Sequence, residues 1–191
     1  MIDLDLIDIQ YYILIMLTLL SLLITVSNLR FLDSIIDPDN DLDEANQNCF
    51  VSILVPARNE EKNIGKCLQT LISQDYENLE ILVLDDRSTD NTASLVLDIT
   101  RHDPRVRMIS GSELPQGWMG KNWACHQLSQ EATGDILIFV DADTLIADQV
   151  VSSAIRNSVN DDVDLLAIMP SRIAACVAER LMFPFIDWAS F

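Results

Sequence analysis

Asp141 and Asp143 are separated by a single residue and follow an apolar run, a spacing that could bind a divalent cation. If the strand predicted before them continues through both residues, their carboxylates project to the same side and can share one hard ion. Two carboxylates this close need a cation to offset their repulsion, and oxygen ligands of this kind suit Mg²⁺ or Mn²⁺. The alternative is an ordinary aspartate-rich turn, because a DxD pair also occurs by chance.

Two more polar clusters follow apolar runs, one at Pro56–Glu61 and one at Asp85–Asp90. If the Asp86 carboxylate faces a pocket, it can accept a hydrogen bond from a uracil imide or from a ribose hydroxyl. Arg58 has two interpretations: a two-point contact with a phosphate, or a structural ion pair with Asp86. Asp90 is expected to cap the helix that follows it rather than to contact a ligand.

A further segment, Glu113–Ala124, carries one lysine and two glycines between a predicted strand and a predicted helix. The glycines would let the backbone approach a ligand closely. Lys121 lies near the predicted start of the helix, where a cation could neutralise a pyrophosphate. Trp118 could either cover the loop as a hydrophobic plug or stack on a ligand.

The composition excludes several other kinds of chemistry. The 191 residues carry a net charge of −18, which excludes nucleic acid as a bulk partner because such binding needs a basic surface. The chain has four irregularly spaced cysteines, Cys49, Cys67, Cys125 and Cys176. Without a CxxC pair, they are predicted to be reduced and mostly buried thiols. His102 and His126 are isolated, so neither a Cys–His nucleophile nor a histidine metal site is supported.

Short apolar runs alternate with helical patterns from residue 49 onward. The predicted strands are Phe50–Val55, Glu80–Leu84, Val106–Ile109, Ile136–Val140 and Asp164–Ile168. Two intervening segments, Ile64–Ile72 and Ala147–Ile155, carry apolar residues at the spacing of one helical face, and Cys67 falls on the first of these faces. This alternation predicts an α/β fold, with a mostly parallel sheet and helices on both of its faces. Ligands of such sheets bind beyond the carboxyl ends of the strands, which is where the polar clusters fall.

The N-terminal segment is predicted to anchor the chain in a membrane. The run Ile9–Val26 is uncharged and long enough to cross the hydrocarbon core as a single transmembrane helix. Acidic residues ahead of the run disfavour a cleaved signal peptide, and a buried helix is the remaining alternative. Because Arg30 follows the run, the positive-inside rule places the rest of the chain, with its catalytic domain, in the cytoplasm.

Four segments follow from this organisation. Residues 1–30 form the predicted anchor, residues 31–48 an acidic linker, and residues 49–175 the α/β domain. The apolar residues 176–191 could form a helix at the membrane interface or a buried helix. They are expected to begin a C-terminal part that the sequence lacks.

Three stretches together resemble family 2 glycosyltransferases over about Phe50 to Ser171: VSILVPARNEEKNIGKCLQTLISQDY, EILVLDDRSTDNTASLV and GWMGKNWACHQLSQEATGDILIFVDADT. The LPxGWxGKxxA form is also similar to a membrane-bound subgroup that glycosylates carotenoid or hopanoid-type lipids. The resemblance implies a GT-A fold, a UDP-sugar or similar donor, and a lipid or polysaccharide acceptor. It also implies a set of donor-binding residues: Pro56, Ala57, Arg58 and Glu60 at the nucleoside, Asp86 at the base, Lys121 facing the donor, and Asp141 with Asp143 holding Mn²⁺ or Mg²⁺ on the diphosphate.

The resemblance further implies a catalytic base that the sequence does not supply. An inverting displacement needs a carboxylate to take the acceptor proton, and the family places it well after the DxD motif, often before a QxxRW segment. The acids between Thr144 and Phe191 do not lie in that context, so no catalytic residue is named and the base is expected beyond Phe191.

Two alternatives to a complete glycosyltransferase follow. The first is a fragment that binds a nucleotide sugar without turnover. The second is a receiver-type phosphoacceptor domain, suggested by the acidic pair Asp85 and Asp86. Such a domain requires a phosphorylatable aspartate after the third strand, where this sequence has Ile109, Ser110 and Gly111.

Overall fold

The computed structural model describes residues 6–29, 49–160, 163–168 and 176. These residues fall into two units, a helix α1 in the first and an α/β domain in the second. The predicted linker 31–48 lies outside the described residues, as does all of the predicted segment 176–191 except Cys176.

Helix α1 spans Leu6–Leu29 and includes the whole run that was predicted to cross a membrane. A crossing needs about 20 consecutive, predominantly apolar residues. In the part of the chain that the structure describes, no helix combines the length and the apolar character that this requires. The prediction of a helix is therefore confirmed, but the prediction of a transmembrane span is not upheld.

Four parallel strands form the sheet of the domain, in the order β3-β2-β1-β4. They are β1 (Val51–Ala57), β2 (Leu79–Asp85), β3 (Val106–Ser110) and β4 (Ile136–Phe139). The chain adds β2 and β3 on one side of β1 and then returns to place β4 on the other side. A reversal of this kind opens a crevice at the carboxyl ends of the two strands that flank it.

Four helices cover both faces of this sheet: α2 (Ile64–Ile72), α3 (Thr92–Thr100), α4 (Gly120–Glu131) and α5 (Val150–Asn160). Side chains alternate along β1, so Ile53 packs on one face with Leu68 of α2 and Ile155 of α5. Leu54 points to the opposite face and packs with Leu128 of α4. The predicted parallel sheet with helices on both faces is confirmed.

The cysteines are free thiols, as predicted, but they are not mostly buried. Cys67 is fully buried in the apolar face of α2, whereas Cys49 and Cys125 are half-buried and Cys176 is exposed. Burial raises the pKa of the Cys67 thiol to about 12, and the nearby carboxylates of Asp143, Asp141 and Glu60 add to the shift. Cys67 is therefore protonated at neutral pH and acts as a small core residue.

The prediction of a fifth strand at Asp164–Ile168 is wrong. Residues 163–168 adopt no strand, and Leu165 is 86% exposed. An apolar run becomes a strand only where a neighbouring strand takes its backbone hydrogen bonds and a core covers its side chains. The sheet formed by the described residues therefore has four strands.

Glu80 on β2 connects the beginning of β1 to the turn that precedes β4. Its Oε1 atom accepts hydrogen bonds from Ser52 Oγ at 2.7 Å and from the backbone N and the Oγ1 of Thr133, each at 2.8 Å. The Ser52 hydroxyl in turn accepts a hydrogen bond from Gly134 N at 2.8 Å. This connection joins three segments of the sheet at the edge opposite the strand carboxyl ends.

Acidification is expected to weaken the fold as Glu80 gains a proton. Partial burial alone would raise the pKa of Glu80, but hydrogen bonds from Ser52 and Thr133, with the charge of Arg107, together hold it below its ordinary value of 4.5. A carboxyl with a depressed folded-state pKa stabilises the fold above its unfolded pKa. That contribution is present above pH 4.5 and is lost as the pH falls through the lower, folded value.

Urea unfolding of the wild type and of Glu80→Gln, from neutral pH down to about pH 3, tests this expectation. At neutral pH the wild type should have the larger free energy of unfolding. On acidification it should lose more of this free energy than the variant, so the two free energies of unfolding should approach each other. Parallel pH dependences of the two proteins would contradict the role assigned to Glu80.

Candidate functional site

A cavity of about 360 Å³ lies at the carboxyl ends of the strands, where the order of the sheet reverses between β1 and β4. This volume is within the usual range for small-molecule sites. The residues that line it are Pro56, Ala57, Arg58, Glu60, Asp86, Gly120, Lys121, Ala124, Asp141, Ala142 and Asp143. They come from the ends of β1 and β2, the start of α4 and the turn after β4.

Every residue that the sequence singled out as donor-binding or metal-binding lines this one cavity, and the roles assigned to them remain predictions. Ala124 and Ala142 were not anticipated. Ala124 lies four residues after Gly120 and so on the same face of α4. That spacing of two small residues is a sequence signal that could have indicated a helix lining a cavity.

The Asp86 side chain is only 11% exposed and is paired with two arginines. Arg58 Nη1 lies 3.3 Å from its Oδ2, and Arg87 Nε lies 3.5 Å from its Oδ1. The structure thus contains the ion pair that was one of the two interpretations of Arg58. The side chain of Arg58 is 57% exposed, so its guanidinium also remains accessible to a ligand. Arg87 was missed, although its position directly after an acidic pair is a recognisable signal.

The two aspartates of the DxD motif lie in a turn and not in a strand. β4 ends at Phe139, and Thr144 N donates to the backbone oxygen of Asp141 at 2.9 Å. The expectation that the strand continues through both residues is therefore wrong. Both aspartates still line the cavity, while Ala142 between them is only 4% exposed and packs in the core. The buried alanine fixes the turn to the domain and leaves both carboxylates exposed at the cavity.

Lys121 is the second residue of α4, close to the helix start as predicted, and it contacts the DxD motif. Its Nζ donates to Asp141 Oδ1 at 2.7 Å. This hydrogen bond raises the pKa of Lys121 against partial burial, which lowers it, so the ammonium stays charged. Because both side chains are more than half exposed, the pair contributes little to stability. The effect of the pair is to hold the ammonium group of Lys121 at the cavity wall.

A divalent cation fits this cavity if a ligand completes its coordination. Asp141 and Asp143 offer hard oxygen atoms of the kind that Mg²⁺ and Mn²⁺ prefer. Among the residues that the structure describes, no group of three or more His, Cys, Asp or Glu side chains could hold a metal. The two aspartates would therefore share the ion with diphosphate oxygens and water, and the ion would compete with Lys121 for Asp141.

Trp118 packs against α4 rather than lining the cavity. Its ring centroid lies 5.1 Å from that of Trp123 and 5.0 Å from that of His126. This arrangement supports the hydrophobic plug over ligand stacking. Asp90 has a structural role at the start of α3, although Asn91 and not Asp90 is the N-cap residue: Asp90 Oδ1 accepts a hydrogen bond at 3.0 Å from the backbone N of Thr92, the first residue of α3.

A parallel sheet with a polar cavity at its topological reversal defines the class of open α/β domains that bind ligands at the carboxyl ends of their strands. Within this class, residues 52–180 match the profile of the family described as Glycosyl transferase family 2. The chain belongs to this family, which removes the receiver-domain alternative.

Comparison with individual proteins agrees with this assignment. The 4,4'-diaponeurosporenoate glycosyltransferase of Staphylococcus haemolyticus is 35% identical over 108 residues, which are 56% of this chain and 28% of that protein. The mannosyltransferase PcManGT from Pyrobaculum calidifontis, solved with GDP-Man and Mn²⁺, is 28% identical with a TM-score of 0.55. That match covers 71% of this chain and 39% of the other. TarS from S. aureus, in complex with UDP, is 25% identical with a TM-score of 0.51, covering 64% and 38% of the two chains.

These likenesses confirm the expected GT-A architecture of the domain. The chain spans 28% of the length of its Staphylococcus haemolyticus relative.

Proposed function

We propose that this chain is the donor-binding part of a metal-dependent glycosyltransferase, which transfers a sugar from a UDP-sugar to a lipid or polysaccharide acceptor. The observation that carries the proposal is the convergence of three kinds of group in one cavity. A buried carboxylate, Asp86, lies on one side, the cations Arg58 and Lys121 lie at the walls, and Asp141 with Asp143 offers a metal site.

Each group suits one part of a nucleotide-sugar donor. The Asp86 carboxylate can accept from the imide N–H of uracil or from a ribose hydroxyl, and Pro56, Ala57 and Glu60 form the wall beside it. Arg58 and Lys121 provide positive charge for the diphosphate. Because the chain has a net charge of −18, this positive charge must come from side chains at the site itself.

Asp141 and Asp143 would hold Mn²⁺ or Mg²⁺. When bound, such an ion neutralises the charge that develops on the departing UDP. The UDP complex of TarS and the GDP-Man and Mn²⁺ complex of PcManGT support a nucleotide donor and a divalent metal.

The acceptor is the least constrained part of the proposal. The Staphylococcus haemolyticus relative is named for the glycosylation of 4,4'-diaponeurosporenoate. This name agrees with the resemblance of the LPxGWxGKxxA segment to enzymes that glycosylate carotenoid-type lipids. A lipid acceptor is therefore the first choice, and a polysaccharide is the alternative.

Calorimetric titration of the full chain with UDP tests the proposal directly. We expect UDP to bind in the presence of Mn²⁺ and to bind at least about tenfold more weakly once the metal is chelated, because the diphosphate then faces the carboxylates of Asp141 and Asp143 without an ion to offset the repulsion. Titration with ADP serves as the control for the base. ADP should bind more weakly than UDP, because adenine lacks the imide N–H that would donate a hydrogen bond to Asp86. The proposal fails if UDP binds neither with metal nor without it.

A second candidate function is donor binding without turnover. It is favoured by the lining of the cavity, where the carboxylates of Glu60, Asp86, Asp141 and Asp143 are all assigned to the donor or the metal and none is left to act as a base. Release of UDP from a UDP-sugar, measured with and without a lipid acceptor, separates the two. UDP binding without release supports the second candidate, and UDP release supports sugar transfer or hydrolysis by this chain.

A further inference from the structure

Two loops leave the sheet side by side at the cavity. The parallel register pairs Ala57 with Asp85 at the ends of β1 and β2, so the next residues along the two loops are Arg58 and Asp86. Each loop then takes a left-handed backbone turn directly after its cavity residue, with φ of 56° at Asn59 and 55° at Arg87. Non-glycine residues rarely adopt this conformation, and asparagine adopts it at lower cost than most others. The two turns make the loops change direction at the same level of the sheet.

Asn59 connects the first loop to the second. Its backbone N donates to Ser88 Oγ at 2.9 Å, and its side-chain Oδ1 accepts from the backbone N of Thr89 at 2.8 Å. We refer to Asn59, Ser88 and Thr89 as the loop clasp. Ser88 and Thr89 do not line the cavity, so the clasp lies behind the residues that a ligand would touch.

Further hydrogen bonds extend this connection toward α3. Glu60 N donates to Thr92 Oγ1 at 2.8 Å, and Glu61 N donates to Asp90 Oδ2 at 3.1 Å. Three consecutive backbone amides of the first loop, those of Asn59, Glu60 and Glu61, thus donate to side chains of the second loop or of the first residue of α3. The direct ion pair between Arg58 and Asp86 is mostly exposed on the arginine side, so it holds the loops together only weakly.

We propose that Asn59 is a positioning residue of the donor site, which acts through Ser88 and Thr89 to fix Arg58 on one wall of the cavity against Asp86 on the other. The inference rests on the proposed function and explains how its cavity keeps its shape. Asparagine combines two properties that the position requires, a tolerance of positive φ and a side-chain acceptor for Thr89 N. Glycine offers only the first of them, and alanine offers neither.

Two variants on opposite loops test the clasp. Asn59→Gly keeps the backbone conformation accessible and removes the acceptor for Thr89 N, while Ser88→Ala removes the acceptor for Asn59 N. Ser88→Ala loses one neutral hydrogen bond, and Asn59→Gly loses two, because Asn59 Oδ1 also accepts from Thr89 Oγ1 at 3.3 Å. We expect UDP affinity in the presence of Mn²⁺ to fall about 3- to 10-fold in Ser88→Ala and at least as much in Asn59→Gly. The double variant should lose less than the product of the single effects, because both changes release the same connection.

A matched control and a rescue separate positioning from general destabilisation. Ser94→Ala removes a hydroxyl that donates to Asn91 O at the start of α3, outside the clasp, and should bind UDP like the wild type. Ser88→Thr keeps the hydroxyl and should restore most of the affinity that Ser88→Ala loses. Exchange of the Thr89 amide hydrogen should accelerate in Asn59→Gly while the melting temperature stays close to that of the wild type.

The outcomes are distinguishable from those of the proposed function. If the wild type binds UDP and both Asn59→Gly and Ser88→Ala bind it equally well, the positioning role is overturned and the donor site stands. If the wild type does not bind UDP at all, the proposed function itself is overturned.

Discussion

Replacing Asp143 with alanine is expected to remove the gain in UDP affinity that Mn²⁺ gives the wild-type protein. Of the two DxD aspartates, Asp143 is the cleaner test. Asp141 Oδ1 accepts a hydrogen bond from Lys121, so Asp141→Ala would also release a cation into the cavity and could mask the loss of the metal. Asp143 is exposed in a turn, and its replacement should leave the fold unchanged.

The size of the effect follows from the number of ligands. Among the described residues, no group of three or more possible ligands surrounds the ion, so the loss of one of the two DxD aspartates removes half of the protein's assigned share of the coordination sphere. We expect UDP affinity in the presence of Mn²⁺ to fall about 10- to 100-fold, to the level that the wild type shows with a chelator.

Titrations of both proteins with UDP, each with Mn²⁺ and with a chelator, measure this directly. Asp164→Ala is the matched control, because Asp164 is an exposed aspartate that does not line the cavity. If Asp143→Ala keeps the full response to Mn²⁺, the metal-binding role of the DxD motif is wrong.

Replacing Gly134 with alanine is expected to cause a large loss of stability. A Cβ atom at this position would lie 2.6 Å from Ser52 N and 2.8 Å from Phe50 O, both of which are backbone atoms. They cannot move away freely, because Asp135 N donates to Phe50 O at 2.7 Å and Gly134 N donates to Ser52 Oγ at 2.8 Å. The added methyl group must therefore separate β1 from the turn before β4, at a cost of about 3 kcal/mol.

The same substitution at Gly65 should change the free energy of unfolding in the opposite direction. Gly65 is the second residue of α2, and a Cβ atom there would meet nothing within 4 Å. Alanine favours the helix over glycine by about 0.5 to 1 kcal/mol, so Gly65→Ala should stabilise the protein. Urea unfolding of the two variants against the wild type measures both changes. Because the chemical change is identical, equal effects at the two positions would contradict the close contact described at Gly134.

The local sequence determined the elements of the domain and the identity of its candidate site residues. A parallel strand buried on both faces must be continuously apolar, and the chain must leave the core where the strand ends. Polar residues that directly follow an apolar run therefore mark the carboxyl edge of the sheet. This is why the sequence alone assigns Arg58, Asp86 and Asp141 to one edge.

The limits of the strands were less predictable. β1 continues through Pro56 to Ala57 because these residues pair with Leu84 and Asp85 of β2, although proline usually indicates the end of a strand. β4 stops at Phe139, one residue short of the predicted end. Asp164–Ile168 is apolar enough for a strand but does not form one. In each case the outcome depends on what lies beside the segment, and the segment's own sequence carries no information about that neighbour.

Tertiary structure alone decided how the site residues meet. Strand order β3-β2-β1-β4 places the cavity between β1 and β4, and the residue spacing does not specify that order. It brings Lys121 to Asp141, Arg58 to Asp86, and Asn59 to Ser88 and Thr89, pairs that lie 20 to 30 residues apart in the chain. Sequence periodicity encodes which way a side chain points from its own element, whereas these contacts depend on which elements pack side by side.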